Sequence, residues 1–151
     1  MSKYRILAID GGGIRGIVSA VILDRLNRET NLVNSFDLAA GTSTGGLIAL
    51  ALAHGVDINA IKNIYLDKGK FIFNDTWYDD LKDLLGLTGA DYNSENLCSV
   101  LKSVFGDTRM KDLKHHVLVT AFDLDNNSPD NDRRTWQPVN ITNFPFTKIN
   151  N

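Results

Sequence analysis

Apolar positions along the chain fall into short runs with two different periods. Tyr4 to Ile9 ends in apolar residues, with Ile6 and Ile9 β-branched, and predicts a buried first strand. Ile17, Val18, Val21, Ile22 and Leu26 then recur at helical spacing, which predicts an amphipathic helix over 17–29 with these residues on its apolar face. Phe36 to Ala40 reads as a second strand closed by Gly41. Thr44 to Ala53 reads as a small, apolar helix that Gly55 can stop. Asp57 can cap a third helix reaching Asp67, with Ile61, Ile64 and Tyr65 on one side. Residues 69 to 92 hold Phe71, Phe73, Trp77 and Tyr78, then Gly86 and Gly89, and predict irregular structure with short helical pieces. Ser94 begins a helix that buries Leu97, Val100, Leu101, Val104 and Phe105 and ends before Gly106. Val117 to Leu124 predicts a third strand, residues 125 to 133 a polar loop, and residues 136 to 141 a further strand. Strands alternating with helices predict an α/β fold, a three-layer α/β/α sandwich with a mainly parallel sheet.

Two glycine-rich turns interrupt this pattern, each between a strand and a helix. The first is Asp10-Gly11-Gly12-Gly13-Ile14-Arg15-Gly16. Glycines allow positive φ and leave peptide N–H groups uncovered, and donors at a helix N-terminus suit an anion or oxyanion. The second is Gly41-Thr42-Ser43-Thr44-Gly45, a G-x-S-x-G run. In that context a sharp turn pushes the serine outward in a strained conformation, and the small flanking residues let strand and helix approach. Tyr4 to Ser43 spans one strand-helix-strand unit. Such a crossover makes the two strands parallel, so both turns lie at the carboxyl edge of the sheet. A serine and free backbone donors on one edge are the parts of an acyl-transfer site, where losing one oxyanion donor costs about 10²–10³ in rate.

The remaining composition narrows the field. The 151 residues suit one domain, and 43% hydrophobic content is enough for a core. A net charge of -2 argues against a nucleic-acid binder. No apolar run approaches the ~18 residues of a membrane span, and the start lacks a signal-peptide core. With Cys98 as the single cysteine, no internal disulfide can form, which fits a reducing, cytoplasmic setting. Cys98 itself reads as packing beside a buried helix face.

The two motifs in this order resemble the patatin-like phospholipase family. Tyr92, Leu97, Leu101, Phe105-Gly106-Asp107 and the run Val117 to Asp123 fit the same resemblance, which covers essentially the whole chain. It implies hydrolysis of phospholipid or other acyl-lipid esters through a serine–aspartate dyad and an acyl-enzyme, with peripheral membrane contact and without metal or organic cofactor. Ser43 would be the nucleophile. Gly41, Thr42, Thr44 and Gly45 would form its elbow. Gly11, Gly12, Gly13, Arg15 and Gly16 would form the oxyanion turn. The family's base is an aspartate in a later Asp-Gly-Gly or Asp-Gly-Ala motif, and the only Asp-Gly in this chain is Asp10-Gly11. The expectation is therefore an N-terminal portion of a patatin-like domain, inactive alone, with the dyad aspartate outside these residues.

Rival readings predict other features. A Ser-His-Asp α/β-hydrolase would place about four strands before the serine and a histidine after a late strand, whereas His115 and His116 precede one. A dinucleotide-binding domain matches Gly11-x-Gly13-x-x-Gly16 but wants an acidic residue where Gly41-Thr42-Ser43 stands. An actin-like sugar kinase would follow its glycine turn with a strand. A non-catalytic lipid-binding or interaction module of the same fold is the alternative from another class. Among single residues, Asp10 and Arg15 read as braces of the glycine turn, with Arg15 an alternative attractor of lipid phosphate. His54 reads as a helix C-terminal dipole partner, and His115-His116 lacks a second metal-ligand cluster. Lys68 and Lys70 with Phe71, Ile72, Phe73, Trp77 and Tyr78 read as core, or alternatively as a lipid-contacting flap.

Overall fold

The computed structural model of the chain describes residues 3–72, 94–123 and 137–145. The strands are β1 (Ile6–Ile9), β2 (Leu38–Thr42), β3 (His116–Asp123) and β4 (Gln137–Thr142). The helices are α1 (Gly16–Thr30), α2 (Thr44–His54), α3 (Ile58–Ile72) and α4 (Ser94–Phe105). The sheet order is β1-β2-β3-β4; the first three strands are parallel and β4 pairs antiparallel with β3. This is the mainly parallel α/β architecture that the alternating pattern predicts.

Sequential parallel order has a consequence for the layers. Both crossovers step in the same direction, and their right-handedness puts the connecting helices on one face. Helix α2 is the core of that face. Ile48, Ala49, Leu52 and Ala53 are buried on it, against Ile9 of β1, Ala39 of β2 and Val117 of β3. On the other face Ile6 and Phe122 are 61% and 56% exposed. Among the described residues, then, one helical layer of the expected sandwich is present.

Several boundaries and faces differ from the sequence pattern. Strand β1 is buried only on its Leu7 and Ile9 side. Strand β2 starts two residues later than expected and runs on to Thr42. Helix α3 continues through Ile72, so residues 69–72 are helical rather than irregular. Its predicted cap is present: Asp57 Oδ1 accepts the Asn59 N–H at 2.9 Å and the Ala60 N–H at 3.3 Å. Residues 73–93 and 124–136 fall outside the described residues, as do the side chains of Lys70 and Phe71.

Helix α1 overturns the predicted apolar face except at Ile17, which is half-buried against the core. Its buried residues are Gly16, Ala20, Leu23 and Asp24, whereas Val18, Val21, Ile22 and Leu26 are exposed. The reason lies in its neighbours. Helix α1 packs chiefly on α3, and less on α2, through the small side of the helix. Small residues there allow a close approach, and Asp24 can be buried because two cations meet it. Lys62 Nζ donates to its Oδ2 at 2.7 Å, and Arg28 donates to both carboxylate oxygens at 2.8 and 3.3 Å. The Lys62 hydrogen bond first, and the Arg28 one second, hold the Asp24 carboxyl below the usual carboxylate range. A depressed folded-state pKa contributes stability above the unfolded value of about 3.9, and that stability is lost as pH falls through the folded value. Asp24→Asn is therefore expected to lower the denaturation midpoint at neutral pH and to flatten the acid limb of stability below about pH 4. An acid limb identical to the parent's would contradict this account of Asp24.

Candidate active site

Ser43 sits between the last residue of β2 and the first of α2. Its backbone is at φ 53°, ψ -127°, and Asn31 is the other described non-glycine residue with positive φ. A serine held there stores strain of about 1–3 kcal/mol, which persists only where the surroundings enforce it. The enforcement is visible in the helix: Leu47 N–H donates to the Ser43 carbonyl at 3.1 Å, so the helical ladder begins on Ser43 itself. The first N–H groups of α2 follow and put the positive end of its dipole beside the serine. The residue is exposed.

The flanking glycines are explained by close backbone approach. A Cβ on Gly45 would overlap the Ile9 carbonyl and lie 2.6 Å from the Asp10 carbonyl. A Cβ on Gly41 would overlap the Gly45 carbonyl group and lie 2.6 Å from the Gly46 nitrogen. The start of α2 is therefore pressed against the end of β1 and of its own strand. Thr44 is buried in this contact.

The glycine turn meets the elbow directly. Residues Gly13–Arg15 form a short 3-10 turn, with Gly13 at φ 58°. The Arg15 N–H donates to the Gly12 carbonyl at 3.1 Å, and Arg15 Nε reaches the same oxygen at 3.5 Å. Arg15 thus braces the turn, as expected. Asp10 is exposed. A Cβ on Gly11 would lie 2.8 Å from the Thr42 carbonyl and 3.0 Å from Ser43 Cβ. The register Ile9↔Gly41 brings the two strand ends level, so the predicted residues of both motifs share one sheet edge.

Two neighbours were not singled out from the sequence. Thr42 Oγ1 lies 2.7 Å from Thr120 Oγ1 across the β2–β3 pair. Tyr65 of α3 is buried, and its hydroxyl donates to the Thr44 carbonyl at 3.5 Å. Burial pushes the Tyr65 phenol up to about 12. In sequence, Thr120 is one residue of a strand and Tyr65 one apolar position of a helix; only the fold sets them against Thr42 and Thr44, the residues that flank Ser43.

The remaining candidates lie elsewhere. Cys98 is exposed on α4, not packed, because the helix's inward stripe runs through Val100. His54 ends α2 and sets its ring 5.7 Å from that of Phe105, while Gly55 at φ 92° closes the helix. His115 and His116 contact Phe36 and Phe144, with ring centroids 4.9 and 4.5 Å apart. Among the described residues no three His, Cys, Asp or Glu side chains gather as a metal site, and no helix is long and apolar enough to cross a membrane.

Comparison with known proteins points the same way as the motifs. The family model described as patatin-like phospholipase matches residues 7–151. Patatin-like protein 1 of Oryza sativa subsp. indica is 37% identical over 137 residues, covering 81% of this chain and 33% of its own length. Patatin group M-3 of Solanum tuberosum is 34% identical over 140 residues, 82% of this chain and 34% of its own. A cGAMP-activated phospholipase of Escherichia coli (strain TW11681) is 32% identical over 138 residues, 84% of this chain and 38% of its own. The chain spans about a third of the length of these curated relatives. Glycine turn, strained serine and family match concur: the chain belongs to the patatin-like phospholipase family.

Proposed function

We propose that this chain carries the nucleophile and the oxyanion turn of a lipid acyl hydrolase, with phospholipids or related acyl lipids as substrates. The observation that supports this most strongly is Ser43 at positive φ with the backbone of Gly11 against it. In this reading Ser43 Oγ attacks the ester carbonyl carbon and the carbonyl electrons move onto oxygen. N–H groups of the Gly11–Gly13 turn stabilise that oxyanion, with the start of α2 adding to the local positive potential. Collapse expels the alcohol and leaves an acyl-enzyme, which water then hydrolyses to the fatty acid. The relatives named patatin-like protein and cGAMP-activated phospholipase support the substrate class.

The Ser43 proton goes to a dyad aspartate that lies outside these 151 residues. The support is that the one Asp-Gly pair, Asp10-Gly11, belongs to the glycine turn. The test compares this chain with acyl-ester substrates of increasing reactivity. Residual acceleration of about 10³–10⁴ over water can come from the oxyanion donors and binding alone. The expectation is feeble release from an activated aryl ester and none detectable from a phospholipid. Full, multiple-turnover phospholipid hydrolysis by this chain would show that its base lies within it. Binding of phospholipid vesicles with Ser43 inert to every ester would instead favour the non-catalytic module.

A further inference from the structure

Helix α3 stands behind both turns of the site. A Cβ on Gly16, the residue that ends the glycine turn and begins α1, would lie 2.9 Å from the Tyr65 hydroxyl oxygen and 3.0 Å from two of its ring carbons. The ring therefore occupies the space that any side chain at position 16 would need. The same hydroxyl reaches the carbonyl of Thr44, the residue after Ser43. One helical turn further on, Gly69 is buried, and a Cβ there would be in ordinary contact, at 3.8 Å, with Ile14 Cδ1 of the glycine turn. One face of α3 thus packs along the first motif and, through the Tyr65 hydroxyl, reaches the second.

We infer that Tyr65 is a positioning residue whose ring sets the separation between the glycine turn and the Ser43 elbow. This rests on the reading of Ser43 as nucleophile. A tetrahedral intermediate needs the serine oxygen and the backbone donors at fixed distances from one carbonyl group. Both sit on separate chain segments with no covalent link shorter than the whole α1 crossover. The β1–β2 ladder aligns the two strand ends, and a rigid aromatic wedge that abuts Gly16 and reaches Thr44 fixes how the turns beyond them sit against each other. The ring is the wedge, and the hydroxyl's 3.5 Å reach to the Thr44 carbonyl is a weak tie.

The experiment measures phosphonylation of Ser43 by a fluorophosphonate in the full chain, at a temperature where circular dichroism shows each variant folded. Limiting rate and half-saturating concentration are separated. Tyr65→Leu removes the wedge, and a displacement near 1 Å costs about 10²-fold in reaction rate, so the limiting rate falls by ~10- to 100-fold with half-saturation unchanged. Tyr65→Phe keeps the ring and restores most of that rate. Gly16→Ala, which drives a Cβ into the ring, repeats the Tyr65→Leu loss. A folded Tyr65→Leu protein that reacts at the parent rate overturns the inference. If the parent itself is not labelled, the nucleophile reading has failed, and amide chemical shifts judge Tyr65. Coupled shifts at Gly12, Gly13, Thr44 and Gly45 in Tyr65→Leu support its role, and undisturbed shifts overturn it.

Discussion

Gly45→Ala is expected to be among the most destabilising single substitutions in this chain, although it adds one methyl group to a helix. Alanine ordinarily favours a helix over glycine by about 1 kcal/mol. At this site the added Cβ would overlap the Ile9 carbonyl and crowd that of Asp10, at the end of β1. These are backbone atoms fixed by the β1–β2 ladder, with no flexible side chain to swing aside. Overpacking of a tight interior typically costs about 1–3 kcal/mol, and a rigid backbone obstacle places this case at or above the top of that range. For a chain of this length, ~3 kcal/mol corresponds to a thermal midpoint lower by roughly 6–12 °C. Gly12→Ala is the control. Its Cβ would meet only Arg15 side-chain atoms, at 3.5 and 3.8 Å, so its stability should stay near the parent's. Equal midpoints for Gly45→Ala and the parent would mean that α2 does not sit against β1 this closely.

Ser43→Gly is expected to move stability the other way. The serine backbone at φ 53°, ψ -127° lies where residues with a Cβ are strained and glycine is not. Glycine relieves about 1–3 kcal/mol of that strain but loses up to about 1 kcal/mol through the freedom it adds to the unfolded chain. The net gain over Ser43→Ala should be ~1–2 kcal/mol, read as a higher midpoint in chemical denaturation. Both variants delete the hydroxyl, so the comparison isolates the backbone. A strained serine that costs stability and remains in place is intelligible as a site residue. Equal stability of Ser43→Gly and Ser43→Ala would remove the strain argument.

The parts legible in sequence were those with chemical punctuation. Glycines fall where a Cβ would strike backbone, at Gly11, Gly41 and Gly45, so the two turns and their shared edge followed from motif spacing and crossover geometry. Asp57 marked the start of α3 by its capping chemistry, and Gly55 the end of α2 by its positive φ. Helix α1 departs from the sequence pattern because periodicity identifies an apolar stripe but not which stripe packs. Packing on α3 buries Gly16, Ala20 and Leu23, and Lys62 of α3 neutralises Asp24. Cys98 differs for the same reason: one residue of helix rotation separates inward from outward. The roles of Tyr65 and Thr120 depend on contacts across 21 and 78 positions of sequence, which no local pattern encodes.

The function proposed above makes Ser43 a placed nucleophile and takes its base to be an aspartate that is not among these residues. Incubation with a fluorophosphonate, followed by intact-mass and peptide mapping, tests it most directly. The expected result is slow, stoichiometric addition of one phosphonyl group, confined to Ser43 and abolished in Ser43→Ala, with a rate ~10³-fold or more below that of a complete serine hydrolase. Addition spread over other serines, or none at Ser43 after prolonged exposure, would contradict the nucleophile. Labelling at the full rate of a complete enzyme would contradict the claim that the base is elsewhere.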